Sequence, residues 1–291
     1  MRPIVLAAAA SATLLACNTA FDLPDQGGDG GRPAAMVRVA TWNVHDLFDE
    51  IDRLIPPGEL DTVLSATEVD AKLTALATVL LRVDADVVLL QEVENRAILG
   101  RLAARAGYPD ARLVEGSDPR GIDVAALSRL PIEAYVSHLG ETDAAGRRLW
   151  PRDCVEVHVR VGGRALVLVG SHFSSALSDD GTRRTAQATR LREIADDLRA
   201  ALPGTLVLAG GDLNDRPESV PLQPLLGDGT WLDESPAGAL TWIGASGSAR
   251  FDYLLVPRED RAALAGMQIV GGTEVAAASD HRPVVVDVRV R

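Results

Sequence analysis

Polar side chains of the kinds that handle water, protons and metal ions stand at the ends of apolar runs throughout this chain. Asn43 ends VRVATWN, Glu92 ends DVVLLQE, His172 ends ALVLVGSH, and Asp212 and Asn214 end TLVLAGGDLN. Asp252 begins FDYLLV, and Ser279-Asp280-His281-Arg282-Pro283 runs directly into PVVVDV. Each has a plainer reading when taken alone. Asn43, Asp280-His281 and the GGDLND stretch fit turn chemistry, and His172 fits a satisfied core or edge histidine. Glu92 is harder to dismiss, because a carboxylate at the end of a buried strand must be paired, bound to metal or at an open edge.

Taken together, these residues point to one chemistry. An Asn carbonyl with Glu and Asp carboxylates makes a hard oxygen site, suited to Mg²⁺ or Mn²⁺; no Cys/His cluster with zinc spacing occurs. A histidine beside a carboxylate makes an acid/base pair whose tautomer the carboxylate fixes. Metal, imidazole and amide donors are what phosphate-ester hydrolysis needs: charge is offset on the phosphoryl oxygens, water is activated, and the crowded transition state is stabilised.

Rigid elements must hold such groups in place. VRVATWNV and DVVLLQEV read as strands, and between them VDAKLTALATVLLRV is a helix with Val69, Leu73, Leu76 and Leu80 on one stripe. NRAILGRLAARAG is a helix ending at a glycine. A strand-rich middle follows. In CVEVHVRV the valines 155, 157, 159 and 161 face inward, which turns Glu156, His158 and Arg160 to solvent and places His158 outside catalysis. RTAQATRLREIADDLRAALP is a further helix with Leu191, Ile194, Ala195 and Leu198 on one face. Neighbouring strands without intervening helices argue against an alternating α/β barrel. They fit two sheets packed face to face with helices outside.

Composition narrows the functional classes. The chain has 291 residues, 47% of them hydrophobic, and a net charge of −12. So acidic a protein is no general coat for nucleic acid, although a local basic groove or a bound cation would still admit a phosphate substrate. The largely apolar run from Ile4 to Ala16 is too short to span a bilayer and fits an export signal. Leu14-Leu15-Ala16-Cys17 looks like a bacterial lipobox. It predicts a signal peptide over 1–16, a flexible tether over 17–35 from a lipidated Cys17, and a folded domain over 36–291. The protein is then expected to be exported and lipid-anchored in the cell envelope, at the outer membrane or the periplasmic face, as a monomer. Cys154, the only other cysteine, is expected to be a small buried hydrophobe.

The ordered motifs TWNV, QEV, SHF, GGDLND, FDYLLV and SDHRP resemble those of the endonuclease/exonuclease/phosphatase superfamily, the deoxyribonuclease I-like fold, from Val37 to the C-terminus. The resemblance implies an α/β fold, a four-layer α/β sandwich with two packed mixed β-sheets, and a divalent-metal phosphoesterase site at one end. It implies that Asn43 and Glu92 hold the metal with Asp280 nearby. Asp212 would orient or deprotonate water, and Asn214 would bind the scissile phosphate. His281, oriented by Asp252 or Asp280, would stabilise the phosphate or act as acid/base, and His172 would assist the leaving group. Arg120 and Asp123 are supporting candidates, and Thr241 and Trp242 are expected to shape the pocket. One departure stands out: many exported nuclease members carry a Lys two residues after the site histidine, where this chain has Ser174. The phosphoester substrate on the nuclease reading is DNA or RNA, and this departure, together with the net charge of −12, puts polymeric DNA in question. Arg183, Arg184, Arg190 and Arg192 form either a basic edge or solvated helix charges. Three functions compete: a nuclease or other phosphodiesterase, a sphingomyelinase- or inositol-phosphatase-like enzyme, and a non-catalytic binding lipoprotein.

Overall fold

The computed structural model describes residues 35–53 and 62–290. The expected signal peptide, and the tether up to residue 34, lie outside the described residues. In chain order the elements are β1 (Ala35–Leu47), α1 (Ala66–Val83), β2 (Val87–Val93), α2 (Arg96–Ala106), β3 (Asp110–Leu113), β4 (Asp123–Ser128), β5 (Ile132–Ser137), β6 (Cys154–Val161) and β7 (Arg164–His172). Then come α3 (Thr182–Ala201), β8 (Leu206–Asp212), α4 (Gln223–Leu226), β9 (Trp231–Leu232), β10 (Trp242–Gly244), β11 (Gly247–Ala249), β12 (Asp252–Pro257), β13 (Leu264–Ile269), α5 (Thr273–Ala278) and β14 (Val284–Val290).

Local sequence explains where the helices begin and end. Ser65 and Glu68 form a reciprocal capping box at the start of α1, which stops at Asp84 in a left-handed conformation. Asn95 caps α2 by accepting from the amides of Ala97 and Ile98, and Gly107 closes it with a φ of 76°. The apolar stripe predicted for α1 is buried as expected.

The strands form two six-stranded sheets, ordered β13-β14-β1-β2-β4-β3 and β5-β6-β7-β8-β12-β9. Each contains one parallel pair, β1–β2 and β7–β8, among antiparallel neighbours. A parallel pair needs a long crossover, and α1 and α3 supply the two. One core lies between the sheets, where Val39, Val87 and Leu89 of the first belong to the same apolar cluster as Val157, Leu168 and Leu208 of the second. A second core joins the first sheet to α1 and α2, and a third joins the second sheet to α3. The result is the four-layer α/β sandwich with two mixed sheets that the resemblance implied. Each fully buried Val or Leu contributes roughly 1.5–3 kcal/mol of transfer free energy.

The alternation predicted for β6 holds, with Val155, Val157, Val159 and Val161 all buried and Cys154 buried and free. Its other face departs from expectation at Glu156, which is 8% exposed. The chain after β5 folds over this face, and Glu156 accepts from His138 Nε2 at 2.9 Å and His158 Nε2 at 2.8 Å. Alternation identifies the face of a strand but not what covers it.

Candidate active site

The two parallel pairs put their carboxyl ends at the same end of the molecule, and the polar residues gather there. His172 ends β7 and lies in register with Asp212, which ends β8; Asp212 in turn lies in register with Asp252, which begins β12. Three adjacent strands therefore place a histidine and two carboxylates in one row. Gly210 and Gly211 make this row possible. A Cβ on Gly210 would lie 1.9 Å from the Tyr253 carbonyl oxygen, and one on Gly211 would lie 2.0 Å from that of Ser171. Gly211 also has a φ of 120°, which disfavours any side chain.

His281 approaches this row from the loop before β14. Its backbone is pinned: its N–H donates to Ser279 Oγ, Ser279 Oγ donates to the Asn43 carbonyl, and Trp42 Nε1 donates to the His281 carbonyl. His281 Nδ1 meets Asp252 Oδ2 at 2.8 Å, and Nε2 lies 3.9 Å from Asp212 Oδ2. Thr241 supports the row from beneath, its Oγ1 accepting from the amides of Phe251 and Asp252.

The facing wall comes from β1 and β2. Pairing runs in register to Asn43 opposite Gln91, then resumes at Leu47 opposite Val93. Four residues of β1 advance while two of β2 do, and the surplus bulges into the site. His45, Asp46 and Glu92 all take positive φ (53°, 58° and 66°), strained for side-chain-bearing residues and typical of functional positions. The bulge brings the Asp46 and Glu92 carboxyl groups together, and the Asp46 N–H donates to Glu92 Oε2 at 3.0 Å. Asn43 clamps the two walls: its Nδ2 donates to Glu92 Oε1 at 3.1 Å and to Asp212 Oδ2 at 2.9 Å, while its Oδ1 accepts the His45 N–H. That backbone donor fixes which amide atom is which. Asn43 thus donates to both carboxylates, whereas its carbonyl had been expected to face a metal.

The remaining expected residues are placed as follows. Asp280 Oδ2 accepts from Trp242 Nε1 at 2.8 Å, and its Oδ1 faces His45 Nδ1 at 3.1 Å. Trp242 stacks on Phe251, so it positions Asp280 as well as filling space. Asn214, with φ 50°, donates from Nδ2 to the Phe173 carbonyl and from its N–H to Asp212 Oδ1, joining the loops after β7 and β8. Arg120 reaches Asp46 at 3.1 Å and Glu92 at 3.6 Å. Asp123 accepts the Gly116 N–H.

Sequence reasoning did not single out four groups here. Asp46 lies in the bulge. Arg152 donates from Nη1 to His172 Nε2 at 2.8 Å and from Nε to Asp118 Oδ2 at 2.6 Å. Lys72, the one lysine of the chain, donates to the carbonyls of His45 and Ala278 and ties the bulge to α5. Its solitary occurrence was the one available signal; Arg152 and Asp118 gave none.

Electrostatics divide the site sharply. Burial and the neighbouring Asp252 charge push Asp212 up to about 7, against the pull of His281 and the Asn43 amide. Burial opposes charge on His281, but the charge and hydrogen bond of Asp252, with Asp212 and Asp280, raise it to about 10. His172 goes the other way: burial and the Arg152 guanidinium carry it well below its ordinary value. Asp46 is pushed up to about 6 by burial and by Glu92. Burial also raises Glu92, and the hydrogen bonds of Asp46 and Asn43 with the Arg120 charge bring it back below the ordinary carboxylate range. Burial lowers Lys72 to about 8 despite Asp46, Glu92 and Asp280 around it.

These groups fit a cation. Ligand atoms of Asp212, Asp252 and His281 lie within 4.8 Å of one another, a possible metal site. His281 Nδ1 and Asp252 Oδ2 are already engaged with each other, so their better role is a dyad. Glu92 with Asp46 is a second, oxygen-only donor pair. A buried and a half-buried carboxyl group that share a hydrogen bond, the half-buried one raised to about 6, suit a hard divalent ion that would relieve their repulsion.

Comparison with known proteins agrees with this geometry. Residues 40–281 match the profile of the Endonuclease/Exonuclease/phosphatase family. No curated protein matches the chain. Among solved structures, a truncated TDP2 from Caenorhabditis elegans is 20% identical, covering 87% of this chain and 98% of its own, with a TM-score of 0.60. Sphingomyelinase C from Streptomyces griseocarneus is 19% identical over 87% and 99%, TM-score 0.57. A family protein from Bacteroides thetaiotaomicron is 15% identical over 89% and 99%, TM-score 0.64. The chain belongs to the endonuclease/exonuclease/phosphatase family and is a phosphoric ester hydrolase of that metal-dependent class.

Proposed function

We propose that the protein is a Mg²⁺- or Mn²⁺-dependent phosphodiesterase of nuclease-like activity, exported and held at the cell envelope through lipid on Cys17. The observation that carries the catalytic reading is the row His172–Asp212–Asp252 closed by His281, with Asp212 near 7 and His281 near 10. The lipobox-like Leu14-Leu15-Ala16-Cys17 supports the anchor. Glu92 and Asp46 would hold the ion, which when bound polarises a phosphoryl oxygen and offsets its growing charge. Asp212 is poised near neutrality to take a proton from the attacking water. His281, held cationic by Asp252, donates from Nε2 to a phosphoryl oxygen and stabilises the added charge. Asn43 keeps Glu92 and Asp212 at fixed separation. His172 is a neutral acceptor at Nε2 and orients Arg152.

The test uses the chain from Asn18 onward with Mg²⁺ or Mn²⁺ against bis-p-nitrophenyl phosphate, plasmid DNA, RNA and sphingomyelin. Metal-dependent cleavage of the phosphodiesters that is lost in His281→Ala is the expected result. Preferred cleavage of sphingomyelin would replace the nuclease-like reading. No cleavage and no metal binding would leave a binding lipoprotein.

A further inference from the structure

Ser174 stands where a cation was expected, yet the groove beside it is rich in guanidinium groups. A cavity of about 520 Å³ next to His172 is lined by Arg120, Arg152 and Arg183, together with Asp118 and Ser174. That volume is in the range of ligand pockets. Arg152 uses its Nε on Asp118 and one terminal nitrogen on His172 and the Phe173 carbonyl; its other terminal nitrogen has no partner among the described residues. The other arginines of α3 are engaged: Arg184 with Asp179 and Asp215, Arg190 with Glu141, Arg192 with Asp196 and Asp228, and Arg199 with Glu259 and Asp260. Arg183 is the exception: its backbone N–H donates to Asp179 Oδ1, and its guanidinium has no partner among the described residues. Ser174 is 7% exposed, and its buried hydroxyl also lacks a partner. A free guanidinium and an orphaned buried hydroxyl on one groove indicate polar capacity that a ligand would satisfy.

We infer that this groove is an anion subsite for a second phosphate of the substrate, next to the one that is cleaved. The inference rests on the phosphodiesterase reading and sharpens it. Arg120 is paired with Asp46, Glu92 and Asp118, and Arg152 with Asp118, so the positive charge left open on the groove is that of Arg183 and the unengaged end of Arg152. It favours a second phosphate, as in an oligonucleotide, over the cationic end of a zwitterionic lipid headgroup. The groove supplies locally the positive charge that the chain lacks overall.

The experiment compares a thymidine trinucleotide, which has two phosphates, with a thymidine dinucleoside monophosphate, which has one. Binding is read with EDTA present, so that nothing turns over, for the wild-type chain, Arg183→Ala and Arg183→Glu. The expected result is that Arg183→Ala weakens the trinucleotide about tenfold relative to the dinucleotide, as loss of one charge-assisted contact would. Its log–log salt slope should fall by about 0.7, and Arg183→Glu should weaken it further. With metal, kcat/KM for the trinucleotide relative to bis-p-nitrophenyl phosphate should fall by a similar factor. Equal affinity of the two ligands, or equal loss on both, would overturn the subsite. If the wild-type chain cleaves no phosphodiester but binds the trinucleotide more tightly through Arg183, the subsite stands and the catalytic reading fails. Cleavage of sphingomyelin in preference to the trinucleotide would overturn the assignment of a polyanionic substrate.

Discussion

His172 and His281 are almost equally buried, at 2% and 7% exposure, and both lie within 4 Å of Asp212 Oδ2. Their neighbours give them different charge states. A carboxylate, Asp252, faces His281 Nδ1, and a guanidinium, Arg152, faces His172 Nε2. An arginine can only donate, so His172 Nε2 accepts and the ring is neutral. Asp252 accepts, so His281 keeps both protons and its cation. Burial pushes both rings toward neutrality, and the sign of the nearest charge decides whether it succeeds. The site therefore pairs one imidazolium, suited to an anionic phosphoryl oxygen, with one neutral ring that anchors an arginine.

The strongest way to break this contrast is to remove the cation. His281→Ala should lower kcat on bis-p-nitrophenyl phosphate by roughly 10²–10⁴-fold. Asp252→Asn should approach that loss, because it removes the charge that keeps His281 near 10. A smaller loss for either than for His172→Ala would invert the assignment. Next in size is Arg152→Gln, which strips Asp118 of a buried partner. It should destabilise the fold by roughly 1–3 kcal/mol in urea unfolding, because Asp118 keeps the Arg120 N–H, and let the His172 pKa rise. Unchanged His172 titration in that variant would show that burial alone sets its charge.

Glu92→Gln sharpens the comparison on the metal side. Removing one charge of the Asp46–Glu92 pair should let Asp46 fall from about 6 toward the ordinary aspartate value. Calorimetry should show Mg²⁺ affinity reduced by tenfold or more. If Mg²⁺ binds equally well, the ion sits elsewhere, with the Asp212–Asp252–His281 cluster the next candidate.

The smallest effect comes from a histidine remote from the site. Burial opposes charge on His138, but hydrogen bonds with Glu156 and Glu141 raise its pKa. Its contribution to stability is complete below the ordinary histidine value and fades as pH rises through the raised one. Glu156 moves oppositely. Burial raises it, yet the two histidines lower it to about 2, so its contribution is present above the ordinary glutamate value and fades as pH falls toward 2. Urea midpoints should therefore decline on both flanks, and His138→Gln should flatten the alkaline one. An unaltered alkaline flank in that variant would remove His138 from the account.

Much of this site was legible because the sheets end where their apolar runs end. Glu92, His172, Asp212 and Asp252 lie at or next to the ends of buried strands, and Asn43 is the last residue of β1 in register before its bulge; strand register then aligns them. Asp46 was not legible, since alternation assumes regular pairing and a bulge breaks it. Arg152 lies in the turn before β6, and only the antiparallel pairing of Cys154 with Ser171 carries it to His172. The guanidinium groups beside Ser174 likewise arrive from other elements, as Arg120, Arg152 and Arg183. Local sequence records which residues end a strand, but not which distant side chains arrive there.

The most direct test is ¹⁵N imidazole NMR of the five histidines between pH 5 and 9, assigned with His172→Gln and His281→Gln. One buried ring should stay doubly protonated at pH 8 and disappear in His281→Gln. A second should remain neutral at pH 6 and disappear in His172→Gln. Two buried rings titrating together near 6.5, or the reverse assignment, would contradict it.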